Sequence, residues 1–332
     1  MATDALPDGT RPGRVALVAN DRDRLTDFYA TVVGLDVLRA GDDRTTLGAG
    51  GTPLLDLIGD PSAPERGLDE AGLFHTAFLV PSRAALGGAL AQIEGEWTLD
   101  GASDHLVSEA LYLTDPEGNG IEIYRDRPRE RWDVDDDGRV DIDTLPLDLG
   151  AIRAAADDAG SETGNGVPGG TRVGHVHLEV ASLSAVRPFY VDALGLGVQA
   201  TYGDSALFVA AGGYHHHVGL NVWNGRSAPA GEGRGLAWFE LTVPTDDGLR
   251  AARERLEAVD YAVVERPDGD RGHRSGRDRA PPALPGVMPA CGPDLHPDHV
   301  DCAAASRSVA SSPPSTASAS SGGSKTPSSV TR

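Results

Sequence analysis

The chain has 332 residues, enough for two ordinary domains with cores of their own, and carries a formal net charge of −21. That balance argues against nucleic-acid binding, which needs basic surface to displace counterions from phosphate. No apolar run is long enough for a membrane-spanning helix and no apolar signal-peptide core follows Met1, so the expectation is a cytoplasmic protein without nucleic-acid or membrane partners.

Residues 1–12 read as a flexible leader. From Gly13 the segment GRVALVA alternates as a half-buried strand does. A helix follows, with Asp21 as its cap and Gly34 at its end, where a left-handed residue suits glycine. A second unit starts at Gly72 with the strand GLFHTAFLV and a helix capped by Ser82. Three short strands complete it near Trp97–Gly101, Ser108–Thr114 and Gly120–Arg125, with a turn at DPEGNG (Asp115–Gly120). Residues 127–171 read as a solvated linker. Within it, DVDDDGRVDIDT places Asp133, Asp135, Asp137 and Gly138 as a calcium loop would. Position twelve is Thr144, where a bidentate Glu belongs, so only weak adventitious calcium binding is expected.

A third unit starts at Gly174 with GHVHLEV, a helix capped by Ser182 and ended by Gly195, and a last strand within SALFVAAGGYHHHVGLN (Ser205–Asn221). A fourth starts at Gly235 with GLAWFELT and a helix capped by Thr245. It fails after YAVVERPDG (Tyr261–Gly269), where its last two strands should be, and that loss predicts an unpaired sheet edge with apolar surface bared around Trp238 and Phe239. Residues 271–332 are rich in Pro, Ser, Gly and Ala and hold both cysteines, the only lysine and no Glu. They read as a disordered tail, and the abrupt change of composition suggests a shifted reading frame. Before the tail every cation is Arg, and strong acidity with Arg in place of Lys is the pattern of salt-accumulating halophiles, at whose molar salt the Debye length falls to about 3 Å.

The units repeat. Gly13–Leu38 lies over Gly174–Gln199 without a gap, so that Phe28-Tyr29 falls on Phe189-Tyr190, and Gly72–Leu86 lies over Gly235–Leu249. The expected fold is therefore α+β: four β-α-β-β-β modules in two similar halves, residues 13–126 and 172–270, the last module incomplete.

The FY…LGL signature at the helix ends and the DPEGNGIEIY ending (Asp115–Tyr124) resemble the vicinal oxygen chelate superfamily of glyoxalases, bleomycin-resistance proteins and extradiol dioxygenases. Ser103–Trp132, Gly174–Val180 and Ser205–Asn221 are similar to the two-domain catechol 2,3-dioxygenase subgroup. The resemblance covers roughly residues 13–270. In that superfamily metal ligands sit on the first and last strands of each module, and two modules face each other. Carried over position by position, this rule gives Arg14 and approximately Leu55 in module one, which suit no cation; His75 and Glu122 in module two; His175 and, four residues past the turn glycine Gly213, His217 in module three; and Trp238 alone in module four. The predicted metal set is thus His75, Glu122, His175 and His217, shared by modules two and three across the linker or between chains. A one-residue slip on the last strand would turn His216 inward in place of His217. Two imidazoles with one carboxylate suit non-haem Fe(II) with open positions, so Fe(II) is the expected metal, with Mn(II) or another divalent ion as the alternative.

His215 and His177 are the candidate acid/base groups, because imidazole titrates near neutral pH. Tyr214 and His105 are candidate substrate contacts. The resemblance implies an extradiol dioxygenase that cleaves catechol or a substituted catechol with O2, in a homo-oligomer. The rival readings are a glyoxalase-like lyase or isomerase, which a four-ligand set would fit well, and a metal-free binding protein, which the histidine clustering disfavours.

Overall fold

The computed structural model describes residues 5–159, 166–263 and 283–284. Apart from that last pair, the tail and the frameshift reading attached to it lie outside the described residues. Module one comprises β1 (Arg11–Ala19), α1 (Arg22–Phe28), β2 (Asp36–Ala40), β3 (Arg44–Ala49) and β4 (Thr52–Gly59). Module two comprises β5 (Gly72–Leu79), α2 (Arg83–Glu96), β6 (Gly101–Asp104), β7 (Ser108–Thr114) and β8 (Gly120–Asp126). The segment between the halves forms β9 (Leu145–Pro146) and α3 (Leu149–Ala159). Module three comprises β10 (Arg172–Glu179), α4 (Leu183–Arg187), β11 (Gly197–Tyr202), β12 (Ala206–Ala210) and β13 (Val218–Asn221). Module four comprises, among the described residues, β14 (Gly235–Thr242), α5 (Asp246–Ala258) and the two-residue β15 (Ala283–Leu284).

Local chemistry explains the helices. Asp21, Ser82, Ser182 and Thr245 each cap one, their side chains accepting the N–H of Arg24, Ala85, Ala185 and Gly248. Gly34 and Gly195 stand at φ of +83° and +88°, left-handed values that cost glycine little.

The strands form two sheets, in the orders β15-β14-β1-β4-β3-β2 and β11-β12-β13-β10-β5-β8-β7-β6-β9. In modules one to three the first strand pairs in parallel with the last, as β1 with β4, β5 with β8 and β10 with β13. The first strands then pair antiparallel across modules: β1 with β14, and β5 with β10. Module two therefore shares a sheet with module three, and one with four, all within one chain. Each sheet takes one module from each half, so the two sequence halves are interleaved. A core of Leu, Val, Phe and Ile from both sheets and their helices joins them. A smaller group, Ala77, Leu79, Ala110 and Tyr124, packs separately within the second sheet.

Three expectations change here. From residue 5 on, the leader is tied down: Leu6 is buried, and its N–H donates to the Gly195 carbonyl at 2.9 Å. The linker contains a helix, α3, which packs on α2 closely enough that a Cβ on Gly87 would crowd the Ile152 carbonyl. The edge of β14 is joined by β15 at two residues only, through Leu241↔Leu284 and Thr242↔Ala283, while Gly235–Glu240 gain no outer strand among the described residues, and Phe239 is buried. In the calcium-like stretch, Asp135 is occupied as a turn acceptor for the N–H groups of Asp137 and Arg139.

Candidate metal centre

The second sheet brings three predicted residues together. His75 on β5, Glu122 on β8 and His175 on β10 are all buried. His75 Nε2 lies 3.2 Å from His175 Nε2, and the Glu122 Oε2 lies 3.0 Å from the first and 3.1 Å from the second. Among the described residues this is the group of His, Cys and carboxylate side chains whose donor atoms converge closely enough to hold an ion.

The donor set fits a divalent metal. Atoms on one face of an octahedron with bonds of about 2.1 Å lie about 3.0 Å apart, close to the spacing seen. Two buried nitrogens facing each other and one carboxylate oxygen can share only a few protons, whereas one cation satisfies all three. Burial drives the His175 pKa down to about 4, against the pull of Glu122, so its ring is neutral and ready to ligate. Burial alone would raise Glu122; the neighbouring His175 and His75 outweigh it and hold the carboxyl well below its ordinary value. The third ligand type is thus an anion at neutral pH.

Two β-bulges aim these side chains. In the β5–β10 ladder His177 faces His75 and Leu178 faces Leu73, which leaves Phe74 as an extra residue. Its ring lies 5.2 Å from those of both His75 and His177. Gly174 is extra on the other strand, and a Cβ there would overlap the Tyr124 hydroxyl.

The histidine run differs from expectation. His217 is not brought to the cluster: its Nδ1 accepts the Ala211 N–H at 3.2 Å and its ring stacks on Tyr214 at 4.8 Å. His216 faces the centre instead, its ring 4.0 Å from that of His175. The physical reason is the turn. Gly212 and Gly213 both have positive φ, and β13 begins only at Val218, so residues 214–217 do not alternate as a strand.

The remaining predicted groups are engaged. The Asp126 carboxylate only accepts, so His215 Nε2–H donates to it at 3.0 Å. With that proton on Nε2, His215 Nδ1 accepts from His216 Nδ1–H at 2.8 Å, which leaves His216 Nε2 with a free lone pair. The Tyr214 hydroxyl donates to Asp126 and accepts from the Tyr124 hydroxyl at 2.8 Å, so it is not free for a substrate. His177 packs with its ring centre 4.9 Å from that of His75, against the open face of Gly219, and its buried Nε2 has no partner among the described residues. Burial, followed by the charges of His75 and His175, pushes the His177 pKa well down. His105 Nδ1–H donates to the Asp143 carbonyl, and its Nε2 accepts from the Tyr112 hydroxyl at 2.6 Å. Sequence reasoning missed Tyr112, which pairs with Glu122 across β7 and β8; strand register in Ser108–Thr114 was the available signal.

The first sheet carries a counterpart that is closed. Arg14 reaches Asp56 at 3.2 Å and Glu240 at 2.9 Å, and Thr46 donates to Asp56 at 2.6 Å. Asp56, one residue beyond the predicted Leu55, is the β4 side chain that meets Arg14, and an ion pair occupies the place of ligands.

Residues 11–123 match the Glyoxalase/Bleomycin resistance protein/Dioxygenase superfamily. The chain is 40% identical over 268 residues to the catechol-2,3-dioxygenase of Bacillus subtilis (strain 168), covering 79% of this chain and 92% of that one. A solved Bacillus subtilis structure, provisionally described as a dioxygenase, shares the fold with a TM-score of 0.53 at 16% identity, over 80% of each chain. The chain therefore belongs to the glyoxalase/bleomycin resistance/dioxygenase superfamily, in its two-domain catechol 2,3-dioxygenase subgroup. It is an enzyme of the extradiol dioxygenase class, which implies a divalent metal. No helix among the described residues is long and apolar enough to cross a membrane.

Proposed function

We propose that the chain cleaves catechol or a substituted catechol beside its diol, using Fe(II) and O2. The observation that carries this reading is the three-donor cluster of His75, Glu122 and His175. Three converging ligands leave coordination positions for a diol and O2, as in the two-histidine, one-carboxylate oxygenases. A fourth donor, the feature that would favour the lyase reading, does not join this cluster among the described residues, and His217 faces the turn.

When bound, Fe(II) supplies a template that holds the two substrates together and a path for electrons between them. The protein does the rest. His75, Glu122 and His175 hold the ion, and their burial excludes competing water. His216 takes the acid/base role expected of His215 or His177: burial keeps it uncharged, and its Nε2 is free to accept a diol proton and return it later. Asp126 and His215 fix the tautomer that makes this possible. Ala77 and Ala110 give an apolar floor, and Phe74, His177 and Phe208 an aromatic side.

Anaerobic loading with Fe(II), followed by catechol and O2, tests the reading. Oxygen uptake with a yellow ring-opened product is the expected result. Tight metal binding without oxygen uptake would favour the lyase, and failure to retain any metal would favour the binding protein.

A further inference from the structure

We infer that Trp223, closed against Phe74 and His177, limits the ring substituents this site accepts, so that it takes small uncharged catechols and rejects aryl-substituted and carboxylated ones. The inference rests on the extradiol reading above.

The three rings form a closed triangle. Phe74 lies 5.2 Å from His177 and 5.4 Å from Trp223, and His177 lies 5.2 Å from Trp223, all edge to face. Such spacings are contact distances for aromatic rings, so no further ring fits between them. The triangle borders the metal ligands directly, since Phe74 and His177 both pack on His75, at 5.2 and 4.9 Å. A substituent extending from a bound diol toward this side must displace one member.

The members differ in freedom. His177 is buried on β10, and Phe74 is fixed by the bulge of β5. Trp223 lies past the end of β13 and is 47% exposed. Its side chain is held by one hydrogen bond, Nε1–H to Ser205 Oγ at 3.3 Å, and its backbone N–H by Asn221 Oδ1 at 3.1 Å. A half-exposed Trp gains less from burial than a core residue would, which fits a wall against a ligand better than a structural plug. Charge selects in the same direction. The two guanidinium groups at this end of β10, Arg66 and Arg226, are each 2.9 Å from Glu179, a buried carboxylate two residues beyond His177. A carboxylated ring would find both cations already paired.

The test uses the full chain, wild type and as Trp223→Ala and Trp223→Phe, with catechol, 2,3-dihydroxybiphenyl and 3,4-dihydroxybenzoate. Affinities are measured by calorimetry under nitrogen, and kcat/KM in air. The wild type should favour catechol over the biphenyl by at least about tenfold, Trp223→Ala should raise the biphenyl-to-catechol ratio by at least about tenfold, and Trp223→Phe should keep the wild-type preference. The benzoate should remain the poorer ligand throughout. A folded Trp223→Ala with an unmoved ratio, or a wild type that accepts the biphenyl or the benzoate as well as catechol, overturns the assignment while leaving the extradiol reading intact. A wild type that neither binds nor turns over any diol refutes that reading, and this inference with it.

Discussion

Replacing His217 by Gln should flatten the acid sensitivity of the fold. The His217 ring is buried against Tyr214, with its Nδ1 accepting the Ala211 N–H. Burial, followed by the charges of His215, His175, Arg172 and Arg129, drives its pKa from 6.5 down to about 3. The unfolded chain therefore takes up the proton first. Stability is fully present above pH 6.5 and is lost as the pH falls toward 3, where the native ring also protonates. At about pH 5 the unfolded imidazole is almost wholly protonated and the native one is neutral, which costs the native state about 2 kcal/mol. That is a large share of the roughly 5–15 kcal/mol that stabilises a domain. His175, lowered to about 4, acts with the same sign, as do His177 and His216. Gln at position 217 keeps an acceptor for the Ala211 N–H but cannot titrate. Urea unfolding with a chelator present, at about pH 7.5 and about pH 5, measures the effect, and any constant cost of the substitution cancels in the difference. The variant should lose about 2 kcal/mol less than the wild type between the two conditions. Parallel losses in the two proteins would refute the reasoning.

Substituting Glu122→Gln, His75→Ala or His175→Ala should lower metal affinity at least about a hundredfold, read as metal retained after dialysis. His216→Gln should lower kcat by about a hundredfold or more while His217→Gln lowers it less than about tenfold; equal losses would return the acid/base role to an open question between them. Gly174→Ala places a methyl group on the Tyr124 hydroxyl and should destabilise the chain by about 1–3 kcal/mol, measured by denaturant midpoint at constant m-value.

Much of the architecture is local and was legible in the amino-acid order. Four helix caps, two left-handed glycines and the turn at Asp115–Gly120 follow from side-chain chemistry within a few residues. The superfamily resemblance, carried over module by module, pointed to His75, Glu122 and His175 on first and last strands, and those points are neighbours once the first and last strands pair. What the sequence could not decide depends on phase or on distant pairing. A bulge adds one residue and turns every side chain beyond it, which is how Phe74 and His75 reach the same aromatic cluster; the turn at Gly212-Gly213, with β13 starting only at Val218, is why alternation misassigned the residues before it. The pairing of β5 with β10 joins residues 100 apart, as His75 and His175 show, and no local signal specifies it. Sequence by itself determined which residues were available as ligands. Tertiary structure decided that His216 rather than His217 faces them, that Asp126 and His215 set its proton, and that Arg14, Asp56 and Glu240 close the twin position with an ion pair. The difference is physical: caps and turns are satisfied within one stretch of backbone, whereas a site is satisfied only when strands from separate modules share a sheet.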